Sequence, residues 1–468
     1  MNIVVRDAEI DGRPGLDLRV RAGFVDEIGP SLRLDGAEEV IDARGGALIP
    51  GLHDHHLHLH ATAADAASVR CGPPSVRDRA SLAAALEAAP GDAHGWVRGV
   101  GYIETVAGDL DAAALDVLHA RRPVRIQHRS GALWVLNSAA AAAAGIDRAT
   151  HAGIERDDAG RATGRIWRAD TWLRTRLPPA DPPDLRALGT TMARYGITAV
   201  TDATPDLDAR AYTALVAAAA DGVVPQRVRL LGVPLEHTAA PATPRIAVGP
   251  YKIVVADSGF PDFDDLVARF AHAHDRGRAV AVHCVSREAL LLTLAALDVA
   301  GGRPGDRIEH GALIPADTIA TLRRRGLTVV TQPGFLADRG DHYRDQVAPD
   351  DLPDLYRCRS LTDAGVGLAL SSDAPYGPLD PWAVIAAAIG RETATGEIVN
   401  EAERLTPTDA LARYLAPTGN PGGPPRRLGL GAPADLVLLH EPLHRILRAP
   451  NADAVRRTFF GGDPPATT

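Results

Sequence analysis

The chain has 468 residues, 46% of them apolar and 23% charged, with a formal net charge of −9. That length can bury the core of one large α/β barrel or of two to three ordinary domains, and the acidic balance argues against nucleic acid or an anionic membrane as the main partner. No uncharged apolar run of about 18 residues occurs, and the start MNIVVRDAEIDG carries acids where a signal peptide needs its apolar stretch, so a cytoplasmic location is expected.

In chain order, MNIVVRDAEI, LDLRVRAG, FVDEIG and EEVIDARGG read as short strands separated by turns, a small β element over residues 1–49. Next comes a strand and helix rhythm. ALIPGLHDHHLHL, ITAVTD, RVRLLGV, YKIVVAD, AVAVHC, DRIEHG, LTVVTQP and VGLALSSD read as strands. Helical patterns such as DFDDLVARFAHAHDRG and SREALLLTLAALDVAGG lie between several of them. Eight buried strands alternating with helices predict an α/β fold with a distorted (β/α)8 barrel over residues 50–427. Between the first and second strands, residues 61–195 read as an insertion with elements of its own: GWVRGVGY, RPVRIQH and the alanine-rich NSAAAAAAG. It leaves the barrel just after a histidine cluster and is expected to cover the active-site face. GFLADRGDHYRDQVAPDDL, after the seventh strand, is polar and turn-rich and reads as a surface loop or a lid. Residues 428–468 supply two more strands, ADLVLLHEP and AVRRTFFGG, so both chain ends are expected to build one small β-sandwich-like domain. Cys71, Cys284 and Cys358 are odd in number and far apart, which argues against a disulfide framework.

Five of the 17 histidines fall between positions 53 and 60. On an extended chain His56 and His58 point to one side, two residues apart, as two ligands to one ion would. A solvated run that binds metal adventitiously has the same local pattern. His283, His310 and Asp373, however, each close a different predicted strand, where a barrel presents its chemistry. Lys252 is the sole lysine among 50 Lys and Arg residues. It is either a survivor of a general arginine bias or a position that needs a primary amine, which can lose its proton when buried, as arginine cannot. A neutral amine can add carbon dioxide and become a carbamate, an anionic two-oxygen bridge suited to two divalent ions about 3.5–4 Å apart.

The ordered segments IPGLHDHHLHL, GPYKIVVADSG, AVHCVSREA, RIEHG, VVTQP and SSDAPYGPLDPW resemble the amidohydrolase superfamily. RSGALWVLNSAAAAAAGI and GRATGRI resemble its branch containing N-substituted formamide deformylase. VRAGFVDEIG and GLGAPADLVLLHEP resemble its flanking β domain. The resemblance implies a metal-dependent hydrolase barrel in which His56 and His58 hold the more buried ion and His283 and His310 the other. Lys252 would bridge them after carboxylation, and Asp373 would bind the first ion and handle the proton. Ala132 stands where the branch often has histidine, and Arg287 with Glu288 where an Asp and Arg pair is usual; both bear on substrate contacts.

The expected activity is hydrolysis of a C–N bond (amide, N-acyl, N-formyl or cyclic amide) of a small molecule by a metal-activated hydroxide, with Asp373 as general base and acid. Ester or lactone hydrolysis, ring deamination and lyase chemistry suit the same site, and a non-enzymatic binding or assembly module is the reading of a different class. Zinc is the first choice of metal, with manganese, iron or cobalt as alternatives, and carbon dioxide is needed for Lys252. Trp96, Arg98, Tyr102, Gln127, Arg129, Trp134, Trp167, Arg168 and Gln332 are candidates to line the pocket. Core packing competes as an explanation for the tryptophans and surface charge for the arginines. Neither nucleic acid nor membrane is an expected partner, and a homodimer is compatible with the sequence.

Overall fold

The computed structural model describes residues 1–36, 38–179, 181–237, 241, 243–257 and 259–462. The last six residues of the expected C-terminal β part, 463–468, lie outside them. The chain divides into two compact units, one formed by Met1–Thr62 with Asp184–Thr468 and the other by Ala63–Pro183.

In the first unit the barrel strands run in chain order: Leu52–Leu57, Ile197–Asp202, Arg227–Leu230, a fourth in two pieces, Val280–Cys284, Arg307–His310, Thr328–Thr331 and Gly367–Leu370. All neighbouring pairs are parallel. The fourth strand bends at Gly249 and Pro250, where proline can offer no ladder donor. Its first piece, Ile246–Val248, pairs back to the third strand, and its second, Tyr251–Val254, pairs forward to the fifth. The Lys252 amide still donates to the carbonyl of Leu231 at 3.1 Å. Between the last strand and the first, the Asp373 amide donates to His56 O at 2.8 Å and the His58 amide to Ala374 O at 2.9 Å. The fold is therefore the expected distorted α/β barrel.

Alternation along these strands separates two kinds of residue. Ile253, Val282, Cys284, Ile308, Val329 and Leu368 are fully buried in an apolar core with Leu266, Phe270, Leu290 and Leu297 of the surrounding helices. The intervening positions, among them Lys252, His283 and Glu309, belong to the opposite face, since side chains along a strand alternate. The helices start where the sequence provides caps. Asp262 accepts from the amides of Asp264 and Asp265 to open Phe263–Asp275, and Ser286 accepts from Ala289 to open Arg287–Ala300.

The stretch ALIPGLHDHHLHL, read as one strand, forms two. Leu48–Pro50 pairs antiparallel with Leu436–Leu439, while Leu52–Leu57 enters the barrel. Gly51 is the joint, and steric room is the reason: a Cβ there would lie 2.1 Å from the Thr198 hydroxyl oxygen. The terminal strands make two small sheets. In one, Phe24–Gly29, Arg13–Arg21, Ile3–Ile10 and Glu39–Asp42 lie in that order; in the other, Val455–Phe459, Leu436–Leu439 and Leu48–Pro50. Val5, Leu18, Val20, Leu48, Leu436 and Leu438 share one buried cluster between them, a small sandwich made from both chain ends.

The segment after the seventh strand is also a correction. Residues Gly334–Gln346 are helical, with Gly334, Phe335, Leu336 and Gly340 buried along one side. A few buried positions suffice to hold a polar helix when its other faces are solvated. The second unit has a six-stranded sheet in the order Ile154–Arg156, Ala162–Trp167, Leu133–Leu136, Val124–His128, Val97–Tyr102 and Val69–Arg70. Among the described residues, no helix is long and apolar enough to cross a membrane.

Candidate metal centre

The first barrel strand carries His56 at its end, with His58 one residue beyond, and the last barrel strand leads into Asp373. Nitrogen or oxygen atoms of these three side chains lie within 4.8 Å of one another. Nε2 of His58 is 3.2 Å and Nε2 of His56 is 3.5 Å from Oδ1 of Asp373. His56 is fully buried and Asp373 6% exposed. Yet neither Nε2 of His56 nor Oδ1 of Asp373 has a hydrogen-bond partner among the described residues. Buried polar atoms without partners are rare and call for an explanation. An ion held between these atoms provides one, so the residues fit a divalent metal.

The other ring nitrogens are already engaged, which fixes the ring orientations. Nδ1 of His56 meets Glu309 Oε2, whose other oxygen takes Nε of Arg307. Nδ1 of His58 lies 3.1 Å from Thr204 Oγ1, and Nδ1 of His310 lies 2.9 Å from Gln332 Oε1. Gln332 is itself held by donating to Ser371 Oγ at 2.9 Å. Asp54 Oδ1 accepts from the amides of His56 at 3.2 Å and Ser372 at 3.1 Å, tying the two strands together directly beneath the ligands.

Backbone conformation completes the arrangement. His310 has φ +69° and Asp373 φ +53°, in the left-handed region that residues other than glycine seldom occupy. Glu309 and His310 are consecutive, so a regular strand would send them to opposite faces. Departure from strand geometry at His310 frees its ring to lie 4.8 Å from that of His56 and 4.5 Å from that of His283.

Electrostatics favour the protonation states that ligands need. Burial pushes the His56 and His310 imidazoles below their ordinary range, toward the neutral form. Burial also lowers the Lys252 amine, although Glu309 and Asp373 oppose the shift. Burial by itself would raise the Asp373 carboxyl, but the neighbouring His310, His58 and His56 hold it well below the usual carboxylate range. Burial raises Asp54 to about 7 against the amides and hydroxyl that bond it.

The three-residue cluster does not include Lys252, His283 or His310. Lys252 is 3% exposed, and among the described residues no hydrogen bond or ion pair holds its amine. Nδ1 of His310 is 3.8 Å from Oδ2 of Asp373. Gln332 is buried as a support for His310. The remaining pocket candidates belong to the second unit. There Trp96 and Trp134 pack in one apolar cluster and Tyr102 in another. Trp134 Nε1 donates to Asp170 at 2.7 Å, Arg98 lies over the Trp134 ring, and Gln127 donates to Gly131 O at 3.3 Å. Trp167 is 39% exposed and bonds Glu155 at 2.9 Å, Arg129 is half-buried, and Arg168 is exposed with φ +46°. Of the two departures from the family pattern, Ala132 lies in the second unit, while in the first Arg287 pairs with Asp351 and Asp354 and Glu288 lies in the first turn of its helix.

Glu309, Arg307, Asp54 and Thr204 escaped the sequence reading. An acid and an arginine inside the four-residue barrel strand RIEH were a usable signal, because a buried strand does not keep charges without partners.

Comparison with known proteins decides the family. The amidohydrolase family model matches residues 39–464. The chain belongs to the amidohydrolase family. The Bacillus subtilis (strain 168) protein named "Putative amidohydrolase YtcJ" is 25% identical over 433 residues, covering 80% of each chain. The N-substituted formamide deformylase of Arthrobacter pascens is 24% identical over 481 residues, with 88% of this chain and 87% of that protein covered. A crystal structure of a metal-dependent hydrolase of uncharacterized function from Pyrococcus horikoshii OT3 superposes with a TM-score of 0.77 at 18% identity, covering 96% of this chain and 100% of that one. This amidohydrolase is a metal-dependent hydrolase, and among the described residues His56, His58 and Asp373 form a group that could hold a metal ion.

Proposed function

We propose that this amidohydrolase hydrolyses a C–N bond in a small amide, N-acyl, N-formyl or cyclic amide substrate. The observation that carries the reading is the convergence of two imidazole nitrogens and one carboxylate oxygen at the carboxyl end of the barrel, of which His56 Nε2 and Asp373 Oδ1 are buried and unpartnered among the described residues. When bound there, a divalent ion supplies Lewis acidity, polarising a carbonyl and acidifying water.

The chain's own groups do the rest. Asp373, whose carboxyl is held in the ionised form, accepts the proton of the attacking water and hands it to the departing nitrogen. The products are then a carboxylic acid and an amine, and no unprotonated amide anion has to leave. His56 and His58 hold the ion with Asp373, and their Nδ1 contacts to Glu309 and Thr204 hold the rings in place. We assign His283 and His310 to a second ion, with Lys252 as its bridge to the first after carboxylation. Burial of the amine, which favours the neutral form that adds carbon dioxide, supports this. Zinc suits the imidazole and carboxylate donors. The distant kinship with N-substituted formamide deformylase makes N-formyl amines the first substrates to try.

The test measures metal per chain by mass spectrometry after purification without chelator, and turnover on N-formyl amines, N-acyl amino acids and cyclic ureas. Asp373→Asn keeps a ligand oxygen but accepts no proton, so turnover should fall about 100-fold or more. A protein that takes up no ion on zinc or manganese titration, or that cleaves esters and no C–N bond, overturns the reading.

A further inference from the structure

At the end of the barrel opposite the metal centre, where the strands begin, lies a cavity of about 130 Å³. Its lining includes Arg229, Arg307, Thr328, Thr418 and Asn420, and contains no carboxylate. Arg307 is 2% exposed. Its Nε goes to Glu309 and its Nη2 to His55 O at 3.2 Å, which leaves Nη1 without a partner among the described residues. Arg229 has one hydrogen bond, from Nη1 to Val248 O at 3.3 Å, and no acidic partner among the described residues. Its Nε is buried and unpartnered. The side chains of Thr328, Thr418 and Asn420 likewise make no hydrogen bond among the described residues.

Two guanidinium groups thus share a small space with three further side chains able to donate, and nothing anionic lines it. Burial, and after it the proximity of the positively charged Arg307, depress the Arg229 guanidinium. The loop Thr418–Pro421 closes over this end closely. A Cβ on Gly419 would lie 3.3 Å from Arg229 Nη2, and one on Gly422 would lie 2.9 Å from Thr328 Oγ1. The space admits several waters or one tetrahedral ion.

We propose that this end of the barrel binds a small tetrahedral oxyanion, inorganic phosphate or sulfate, between Arg229 and Arg307. Planar, multiply donating guanidiniums are suited to such oxygens, and Thr328, Thr418 and Asn420 supply the remaining donors. The bound anion offsets the repulsion between the two arginines and pins the 418–421 loop to the strand starts. It is a structural and stabilising site, independent of the hydrolase chemistry at the other end.

The experiment follows thermal unfolding of the metal-loaded protein in phosphate, sulfate and chloride at equal ionic strength. Phosphate and sulfate should each raise Tm by about 2 °C or more over chloride as their concentration passes the dissociation constant. Arg229→Gln should abolish that rise while keeping the metal content, which separates this site from anions attracted to the metals. If Arg229→Gln fails to fold, Thr418→Val with Asn420→Ala replaces it and should shift the anion midpoint at least threefold. Equal Tm in chloride, or a rise that survives these substitutions, overturns the proposal.

Discussion

Glu309→Gln tests how the metal centre is held. Glu309 is wholly buried, and each carboxylate oxygen serves one donor: Oε1 takes Arg307 Nε and Oε2 takes His56 Nδ1. Glutamine has the same shape but one oxygen and one NH2 group. Whichever way it is turned, the NH2 faces a donor, so one contact becomes a clash of hydrogens. If the oxygen stays with Arg307, His56 loses its acceptor, and metal affinity should fall about 10–100-fold. That corresponds to roughly 1.4–2.8 kcal/mol. In either orientation Arg307 loses its buried carboxylate partner, a change that costs about 3–5 kcal/mol when a buried pair is broken. Chelator competition reads the first effect, and urea unfolding of the metal-free protein reads the second. Arg307→Met combined with Glu309→Gln should recover most of the stability without restoring metal affinity. A Glu309→Gln protein with its metal dissociation constant within twofold of the parent and stability within about 1 kcal/mol would refute the reasoning.

Three further outcomes are expected. Lys252→Arg cannot form a carbamate, so it should lose at least one ion per chain and about 100-fold or more in kcat/KM, and intact mass under non-acidic conditions should lack the extra ~44 Da expected of the parent. Glu403 is buried and accepts from the amides of Cys358 at 2.8 Å and Ser360 at 3.0 Å and from Arg357 at 3.0 Å. Burial would raise its carboxyl, but the Ser360 and Cys358 contacts and Arg357 bring it below the ordinary value. A depressed carboxylate stabilises the fold above the unfolded value of about 4.3 and loses that contribution as pH falls through the folded one. Glu403→Gln should therefore cost about 2 kcal/mol at neutral pH and flatten the acid limb of a stability-versus-pH curve below about pH 4.3. Lastly, burial raises Cys71 and Cys284 to about 12 and Cys358 to about 11. Thiol reagents at pH 8 should leave all three unlabelled until urea unfolds the chain, and rapid labelling of the folded protein would contradict this.

Much of the barrel was legible because a strand buried against helices must present apolar residues at alternate positions. Ile253, Val282, Ile308, Val329 and Leu368 announce five such strands without reference to anything distant. His56 and His58 announced a ligand pair for the same reason, since local spacing decides which side chains share a face. Where the first strand stops was not legible. The break at Gly51 comes from Thr198, which is far along the chain and occupies the space a side chain would need. The helix at Gly334–Gln346 was hidden likewise, since its polar composition says little and its few buried positions are defined by what packs on them.

The sequence by itself determined which groups are available for chemistry: a histidine pair at one strand end, histidines and an aspartate at others, and one amine in a chain that otherwise uses arginine. These are properties of residue type and short-range periodicity. Only the tertiary structure decided which of them meet. Barrel closure brings Asp373 to His56 and His58 across more than 300 positions of sequence. The strand pairing that sets Glu309 against His56 and leaves Arg229 beside Arg307 depends on register between segments far apart in the chain. Register is a collective outcome of packing eight strands, so no local window of residues contains it.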